Sequence, residues 1–395
     1  MKSFLVFLSI FFIILVTILI GPIGKASYFK QNAIAFLKND ILKDAAINLK
    51  KEPETITSFI CSKSKGGIHD FYSEGDYWWP DDNNPGGPYV RKDGLSNPNN
   101  FTKHREVLIR FSKITGNLTS AYLITGNKKY AKAVIPHLRA WFICDTTKMN
   151  PDLQFAQAIH GRVQGRSIGI IDGIHLMEVA QSIIILHNDS LITPEDFSKI
   201  KLWFSKFTTW LTTSPFGLKE MKHPNNHSVW WNAQVASYAR LTQNTQVIRL
   251  CTRNFKHLMN DQMSEIGSFP NELKRTKPYS YSLFVLDGMV MNCILLSQPD
   301  SSMWQYKIPA GQTIKKAIDF MAPFIENKEK WKYPHDVAYW NLWPVDQSSL
   351  LFAAIHYHND QYFKLWKTHY RTLKNKEIIR NQPIRNPIIW FDYLN

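Results

Sequence analysis

The sequence predicts an all-α fold, an α/α toroid (incomplete α/α barrel) of helical hairpins whose long loops line a groove. Apolar residues recur at three- and four-residue spacing over most of the chain. A helix, turn, helix pattern also repeats, and the strand-like alternation of apolar and polar residues is scarce. The alternative is an α-solenoid that only binds partners. The irregular, aromatic-rich insertion near the N-terminal end favours the toroid.

Composition limits the class of partner. The 395 residues are 44% hydrophobic and carry a formal net charge of +15, which favours a polyanionic partner. Aromatic residues make up 13% of the chain, and aromatic rings commonly stack on the C–H faces of sugars, so we expect an acidic polysaccharide. No signature of nucleic-acid binding is visible, and we predict no nucleic-acid partner. Four widely spaced cysteines give no metal-ligand spacing, and we predict no metal and no cofactor.

Residues 1–26 read as an export signal. Lys2 precedes an unbroken apolar run over residues 4–20, and Gly24 and Ala26 are placed like a small-residue cleavage site. We therefore expect a periplasmic or secreted protein. The run is longer than most signal cores, so attachment to the membrane by an uncleaved N-terminal anchor is the alternative. Residues 27–395 show no break in composition and are predicted to form one domain.

The helices follow in order along the chain. Apolar spacing predicts a helix over residues 28–58, and residues 61–101 are dense in Gly, Pro, Asn and Asp, which predicts a long functional loop. A hairpin with its turn at Gly126 and Asn127 comes next. Its pattern recurs from Ala236 and, more loosely, from Ala353, each time with Asn in the turn. Thr193, followed by "PED", predicts a helix start.

Three segments contain residues suited to chemistry. The first is "NNH" at 225–227, directly before a predicted helix, where Asn225 is the expected helix cap. The second is "NELKRTKPYSYSLF" at 271–284, and the third is "QAIHGRVQGRSIGIIDG" at 157–173, with a helix expected from Ser167. Each segment alone also reads as an ordinary capping turn or loop. Of Trp230 and Trp231, which follow "NNH", we expect one to face the groove and one to pack in the core.

Together these groups suit β-elimination from a uronic-acid polymer. Removal of the C5 proton builds negative charge on the neighbouring carboxylate, so the site must neutralise that charge, accept the proton and protonate the leaving oxygen. Asn and His can donate hydrogen bonds to the carboxylate. A tyrosine can be the acid or the base, but forming phenolate near neutral pH requires a nearby cation, which Arg275 could supply.

Four motifs resemble those of the alginate lyase family. They are "DYWWPDDNNPGGPYVRKDG", "MNPDLQFAQAIHGRVQGRSIGIID", "NNHSVWW" and "FPNELKRTKPYSYSLF", and they lie in the same order within residues 76–343. "NELKR" is similar to polysaccharide lyase family 5, whereas "TSPFG", "GRSIGIID" and "YSLF" look closer to family 38. The resemblance implies an α/α toroid that cleaves alginate or a related polyuronate by β-elimination.

Carried over residue by residue, the resemblance implies four catalytic residues. Asn226 and His227 match the pair at the substrate carboxylate, Arg275 matches the arginine after "NELK", and Tyr281 matches the catalytic tyrosine. In such lyases Tyr is the acid and, for mannuronate, also the base, while His is the base from the opposite face. Tyr279 stands where a nonaromatic residue is expected, so the choice between the two tyrosines stays open, with Tyr281 preferred. Expected substrate contacts are Trp78, Trp79, Tyr89, Arg91, Gln157, Arg166 and Tyr279.

Two other functions remain to be separated from a lyase. A glycoside hydrolase on the same toroid would need two carboxyl groups flanking the bond, for which Asp76, Asp81, Asp172 and Glu272 are available. A noncatalytic polyanion-binding protein would explain the charge and the aromatic residues alone. We expect alginate as the substrate, with polymannuronate as the first candidate. The sequence leaves open which uronate is preferred and whether cleavage is endo or exo.

Overall fold

The computed structural model describes residues 22–371 and 374–394. The apolar run of the predicted export signal lies outside these residues. In the described part of the chain the helices are α1 (Pro22–Asn48), α2 (Lys103–Thr125), α3 (Lys128–Phe142), α4 (Leu176–Asn188), α5 (Pro194–Thr213), α6 (Pro215–Met221), α7 (Asn226–Thr242), α8 (Thr245–Gln262), α9 (Pro270–Leu273), α10 (Pro278–Leu296), α11 (Ile314–Glu326), α12 (Ser348–Tyr357), α13 (Asp360–His369) and α14 (Lys376–Arg380). The strands are β1 (Tyr72–Glu74), β2 (Trp78–Trp79), β3 (Val90–Arg91) and β4 (Phe155–Ala158).

Six helices close into a ring. Helices α1, α2, α4, α7, α10 and α12 each pack on the next, and α12 packs back on α1. A second layer lies outside the ring, with α3 on α2, α5 and α8 on α7, α11 on α10, and α13 on α12. Two concentric layers of antiparallel helices form an α/α toroid, and the predicted fold is confirmed.

Helix α10 shows why the inner ring is so apolar. All 19 residues of Pro278–Leu296 are buried, because neighbours cover the helix on every side. A helix that is hydrophobic all round is a core helix or a membrane span. In length and composition α10 is the one single helix of the described residues that could cross a membrane, but its complete burial identifies it as the core of this fold.

The repeated hairpins share one turn. In each, the first helix ends on a residue in the left-handed conformation, with φ between 54° and 66°, and the following Asn caps the second helix by accepting a backbone N–H. A left-handed residue ends a helix, and Asn is among the best residues for starting one. The unit occurs at Gly126 and Asn127, at Gln243 and Asn244, and at His358 and Asn359.

Three predicted helix boundaries are wrong. The first helix begins at Pro22, before the predicted start at Tyr28, and ends at Asn48, ten residues before the predicted end at Ser58. Pro53 disfavours helical geometry in the residue before it, so the helix could not have continued unbroken to Ser58. The helix expected from Ser167 is a 3-10 helix over Ser167–Gly173, and α4 begins only at Leu176. The N-cap of α5 is confirmed, since the hydroxyl of Thr193 accepts the backbone N–H of Asp196 at 3.2 Å.

The long loop over residues 61–101 is attached to the toroid by short strands. Strand β1 pairs in parallel with β4, and β2 pairs antiparallel with β3. The second pairing places Trp78 opposite Arg91 and Trp79 opposite Val90. Because side chains alternate along a strand, Trp78 and Arg91 point to one face and Trp79 to the other. The strands therefore decide which of the loop's aromatic residues can reach a site.

Candidate active site

One cavity of about 370 Å³ collects residues from the long loop, the 3-10 helix, the start of α7, the start of α10 and α14. Most of the predicted catalytic and substrate-binding residues line this cavity. They are Trp78, Arg91, Gln157, Arg166, Asn226, His227, Arg275 and Tyr281. Residues more than 200 positions apart in the chain thus meet in one place, as a single site requires.

Two of the predicted substrate contacts, Trp79 and Tyr89, do not line the cavity. The indole N–H of Trp79 donates to the carbonyl of Leu95 at 2.9 Å, and the ring of Tyr89 packs beside His160 with 5.1 Å between ring centroids. Both rings are partly buried in the long loop. The β2–β3 register turns Trp79 away from the face of Trp78 and Arg91, which explains its position outside the cavity.

Tyr279 lies in the core, so the expectation that it contacts substrate is wrong. Its side chain is completely buried, and its hydroxyl donates to the carbonyl of Phe324 at 3.0 Å. The rings of Trp331 and Trp340 pack against it edge-on. Residues two apart on a helix point about 200° away from each other, so Tyr281 reaches the cavity where Tyr279 cannot.

Asn226 stands at the first position of α7, next to its cap. The side chain of Asn225 accepts the backbone N–H of His227 at 3.3 Å and so caps the helix, as expected. Both the backbone N–H and the side-chain amide of Asn226 donate to Oε1 of Glu272, at 2.6 and 2.8 Å. Burial raises the pKa of Glu272 to about 7, against the opposing effect of these hydrogen bonds. These two hydrogen bonds to Glu272 therefore fix the orientation of the Asn226 amide.

His227 is held by a second buried carboxyl group. Its Nδ1 lies 2.6 Å from Oε1 of Glu220, whose side chain is wholly buried. Burial raises the pKa of Glu220 to about 8; burial, assisted by Arg275 and Arg166, lowers the pKa of His227 to about 3. At neutral pH the pair then carries no net charge and shares one proton between Oε1 and Nδ1. Nε2 of His227 consequently keeps its hydrogen and is a donor.

Tyr281 has two kinds of neighbour. Its hydroxyl lies 2.9 Å from that of Tyr77, and the guanidinium carbon of Arg275 lies 4.5 Å from the centre of its ring. Burial, followed by the contact with Tyr77, holds the pKa of Tyr281 well above its usual value, although Arg275 lowers it. Arg275 is thus placed as expected, but its charge does not outweigh burial. In the unliganded site Tyr281 is a neutral phenol, ready to act as an acid.

Arg166 and Gln157 form a rigid pair beside Trp78. The guanidinium of Arg166 donates to the backbone carbonyl and to the side-chain oxygen of Gln157, both at 2.9 Å. Gln157 has a φ of 51°, a strained value for a residue other than glycine. Burial lowers the pKa of Arg166 to about 10, so it stays cationic at neutral pH. The cavity therefore presents positive charge that suits an anionic ligand.

A buried ionic cluster lies next to Tyr77. Asp76 accepts two hydrogen bonds from Arg105, at 2.6 and 2.9 Å, and also pairs with Arg380. Glu377 pairs with Arg380 at 2.8 Å and with Lys277 at 2.5 Å. Burial would raise the pKa of Asp76, but Arg105 and Arg380 together hold it far below its usual value. These carboxylates are ionised and fully engaged.

The carboxyl groups proposed for a hydrolase do not form a catalytic pair. Asp76 and Asp172 line the cavity, but both are bound by Arg105, and Asp172 also accepts from Ser73 at 2.6 Å. Glu272 lies beneath Asn226. Asp81 only closes a turn by accepting the N–H of Asn83. In the described ranges there is also no group of three or more His, Cys, Asp or Glu placed to hold a metal ion.

Both tryptophans after "NNH" are fully buried, so the expectation that one of them faces the groove is wrong. Trp230 stacks on Phe284 with 5.0 Å between ring centroids, and the indole N–H of Trp231 donates to the carbonyl of Leu211 at 3.2 Å. The reason is the position of α7 in the inner ring, where α4, α5, α8 and α10 surround it. Both rings therefore anchor the helix that carries Asn226 and His227.

Several residues of the site were not selected from the sequence. Tyr77 stands inside the quoted "DYWW" motif, in which Trp78 and Trp79 are the expected substrate contacts. Glu220 precedes "HPNNH" by three residues, and an acid close to a histidine is a usable signal, because a carboxyl group bonded to one ring nitrogen decides which nitrogen carries the proton. Arg380 and Asn381 line the cavity from a stretch with no motif of its own.

Comparisons with known proteins agree with this fold. The profile of the alginate lyase family matches residues 58–331. An alginate lyase from Bacteroides ovatus is similar in structure, with 29% sequence identity and a TM-score of 0.76, over 90% of this chain and 96% of that one. Alginate lyase A1-III from Sphingomonas species A1 shares the fold with 14% identity and a TM-score of 0.51, over 82% and 88% of the two chains.

A histidine-to-alanine variant of A1-III complexed with tetrasaccharide also shares the fold, with 13% identity and a TM-score of 0.53, over 82% of this chain and 90% of that one. No curated protein matches the chain. The family profile covers well over half of the sequence. The chain therefore belongs to the alginate lyase family and is a polysaccharide lyase.

Proposed function

We propose that this lyase cleaves alginate by β-elimination, with polymannuronate as its first substrate. The observation that carries the proposal is the meeting of Asn226, His227, Arg275 and Tyr281 in one cationic cavity. The structural relatives support the substrate class, because they are alginate lyases and one is complexed with a tetrasaccharide. Action on such a polymer fits the export predicted from residues 1–26, which stays a prediction.

The substrate carboxylate is neutralised by hydrogen bonds from α7. The side-chain amide of Asn226 has two hydrogens, and only one is needed by Glu272. Nε2 of His227 carries a hydrogen at neutral pH, because Nδ1 shares its proton with Glu220. Two preorganised donors then meet the charge that develops when the C5 proton leaves, which is the usual source of the largest rate effect in such reactions.

Tyr281 completes the elimination. For mannuronate it accepts the C5 proton as phenolate, the electrons of the C5–H bond form the C4–C5 double bond, and the glycosidic oxygen leaves C4 with that proton. Because the pKa of Tyr281 is raised in the free site, turnover on polymannuronate should increase with pH as the phenol ionises. Arg275 limits the rise of this pKa.

The preference for mannuronate rests on the state of His227. Guluronate places its C5 proton on the opposite face, where His227 would have to act as the base. That role requires a free lone pair on Nε2, which the pair with Glu220 provides only after losing its shared proton near pH 8. At neutral pH His227 is therefore better suited to donate to the carboxylate than to take the proton.

Absorbance of the unsaturated product tests the proposal on polymannuronate, polyguluronate, glucuronan and hyaluronan. A rise on polymannuronate is expected, and Tyr281→Phe should abolish it while polymer binding is kept. Tyr279→Phe is the matched control, and it should keep turnover because Tyr279 contacts only the core. New reducing ends without the absorbance would instead identify a hydrolase. Polymer binding without absorbance and without new reducing ends would identify a noncatalytic protein. Full activity of Tyr281→Phe would show that Tyr281 is not the catalytic acid and base.

A further inference from the structure

Arg380 reaches the catalytic tyrosine through a second tyrosine. Its Nη2 lies 3.2 Å from the hydroxyl of Tyr77, which lies 2.9 Å from the hydroxyl of Tyr281. Arg380 belongs to α14, outside the residues 58–331 that match the family profile. Its side chain is only 15% exposed, and it lines the cavity.

The direction of this chain of hydrogen bonds follows from the donor inventory. A guanidinium group only donates, so the oxygen of Tyr77 accepts from Arg380. The hydroxyl proton of Tyr77 then has one acceptor within reach in the described structure, the oxygen of Tyr281. The reverse direction would leave the Tyr77 proton without an acceptor. The chain therefore runs from Arg380 to Tyr77 to Tyr281, and the Tyr281 proton is left to point into the cavity.

Arg380 is itself fixed from two sides. Asp76 and Glu377 both pair with its guanidinium, and each is also held by another cation, Arg105 and Lys277 respectively. A guanidinium clamped by two buried carboxylates has little freedom to turn. The donated hydrogen bond on Tyr77 is thus preorganised, which is what makes such a bond effective when charge develops.

We propose that Arg380 is a positioning residue of the lyase reaction, which acts through Tyr77 to stabilise the oxygen of Tyr281 whenever that oxygen is without its proton. The inference rests on the proposed role of Tyr281. It assigns to the segment around α14 a part in catalysis that the family match does not include.

A double-mutant cycle tests this chain. We expect Arg380→Gln and Tyr77→Phe each to lower kcat on polymannuronate by about 10- to 100-fold, the range for one hydrogen bond to a charged group, with little change in KM. Because both substitutions break the same chain, the double variant should be no slower than the slower single one. Tyr77→Phe removes only a hydroxyl and leaves the ionic cluster intact, so it keeps the test decisive if Arg380→Gln folds poorly.

The pH profile gives a readout that a structural role would not change. The groups that face Tyr281 are Tyr77 from the long loop, Arg275 and Lys277 from the segment before α10, and Glu377 and Arg380 from α14. Loss of the positive charge of Arg380 makes the phenolate harder to form, so the acidic limb of the kcat profile should move to higher pH. Lys376→Gln removes a charge from the same helix at a side chain that is 82% exposed and should change neither kcat nor the profile.

Three results would overturn the inference. They are additive effects in the double variant, a raised KM at unchanged kcat, and an unshifted pH profile. In each case an active wild type and an inactive Tyr281→Phe variant would leave the proposed function standing. A wild type without the absorbance signal would instead remove the proposed function, and the inference with it.

Discussion

Two groups of residues around the cavity shift the pKa values of their carboxyl groups in opposite directions. The α7 cluster (Asn226, His227, Glu220 and Glu272) has acids whose pKa is raised to about 8 and about 7 by burial. The tyrosine cluster (Tyr77, Tyr281, Asp76, Glu377 and Arg380) has acids whose pKa is lowered. Both sets of acids are buried, so burial alone does not decide the charge.

The difference lies in the cations. Arg105, Lys277 and Arg380 lie directly against Asp76 and Glu377, whereas Glu220 and Glu272 contact an imidazole and an amide. A bonded guanidinium favours the ionised form of a carboxyl group, whereas burial with only neutral partners favours the protonated form. The α7 cluster can therefore offer neutral donors to a substrate carboxylate without repelling it, while the tyrosine cluster surrounds the reacting hydroxyl with fixed charge.

The largest effect is expected from Asp76→Asn. This substitution leaves Arg105 and Arg380 without their shared carboxylate, and breaking a buried ion pair in this way costs about 3–5 kcal/mol of stability. Chemical denaturation followed by circular dichroism measures the loss. Glu272→Gln is the matched control, because it makes the same acid-to-amide change in the α7 cluster. An equal loss in both variants would mean that the two clusters do not differ as described.

Glu272→Gln should show a smaller effect that depends on pH. Glu272 has a folded pKa of about 7 against an ordinary value of 4.5. Its contribution to stability is therefore complete at acidic pH and is lost as the pH rises through about 7. We expect wild-type stability, relative to that of Glu272→Gln, to fall by about 1–3 kcal/mol between about pH 5 and about pH 9. A difference that is independent of pH would show that Glu272 is already ionised.

The smallest effect is expected from Asn225→Ala, which removes the cap of α7. Loss of an Asn cap costs about 1 kcal/mol. The same change at Asn244, the cap of α8, should cost the same stability but leave kcat unchanged, because α8 packs outside the ring. Only Asn225→Ala should also slow turnover, by a few-fold, since it loosens the backbone under Asn226 and His227. Equal kcat values in Asn225→Ala and in Asn244→Ala would show that the cap of α7 does not contribute to catalysis.

Sequence patterns predicted the features that depend on neighbouring residues. The hairpin repeat was visible because the same turn, with Asn as its cap, ends each first helix. "NNH" and "NELKRTKPYSYSLF" were visible because their functional groups stand close together in the chain. Periodicity failed at Ser167, where the chain forms a 3-10 helix. A Cβ atom on Gly169 would lie 2.5 Å from the carbonyl oxygen of Ala156, and only the folded chain reveals this close packing.

Residues joined over long distances could not be predicted in the same way. The bond between Arg380 and Tyr77 spans 303 positions, and the bond between Tyr77 and Tyr281 spans 204. Nothing in the local sequence around Arg380 distinguishes it from a solvated arginine on a short basic helix. The choice between Tyr279 and Tyr281 likewise required the direction of each side chain on α10, which depends on how the ring is packed.

The return of α14 to the cavity has a consequence for protein synthesis. The ribosome completes Tyr77, the α7 cluster and Tyr281 well before it reaches residues 376–381. On the proposed roles, a nascent chain that stops before that segment has its carboxylate donors but lacks the cation behind its acid. On the effect expected for loss of Arg380, full activity would then appear only when translation has passed α14 and this part of the chain has docked.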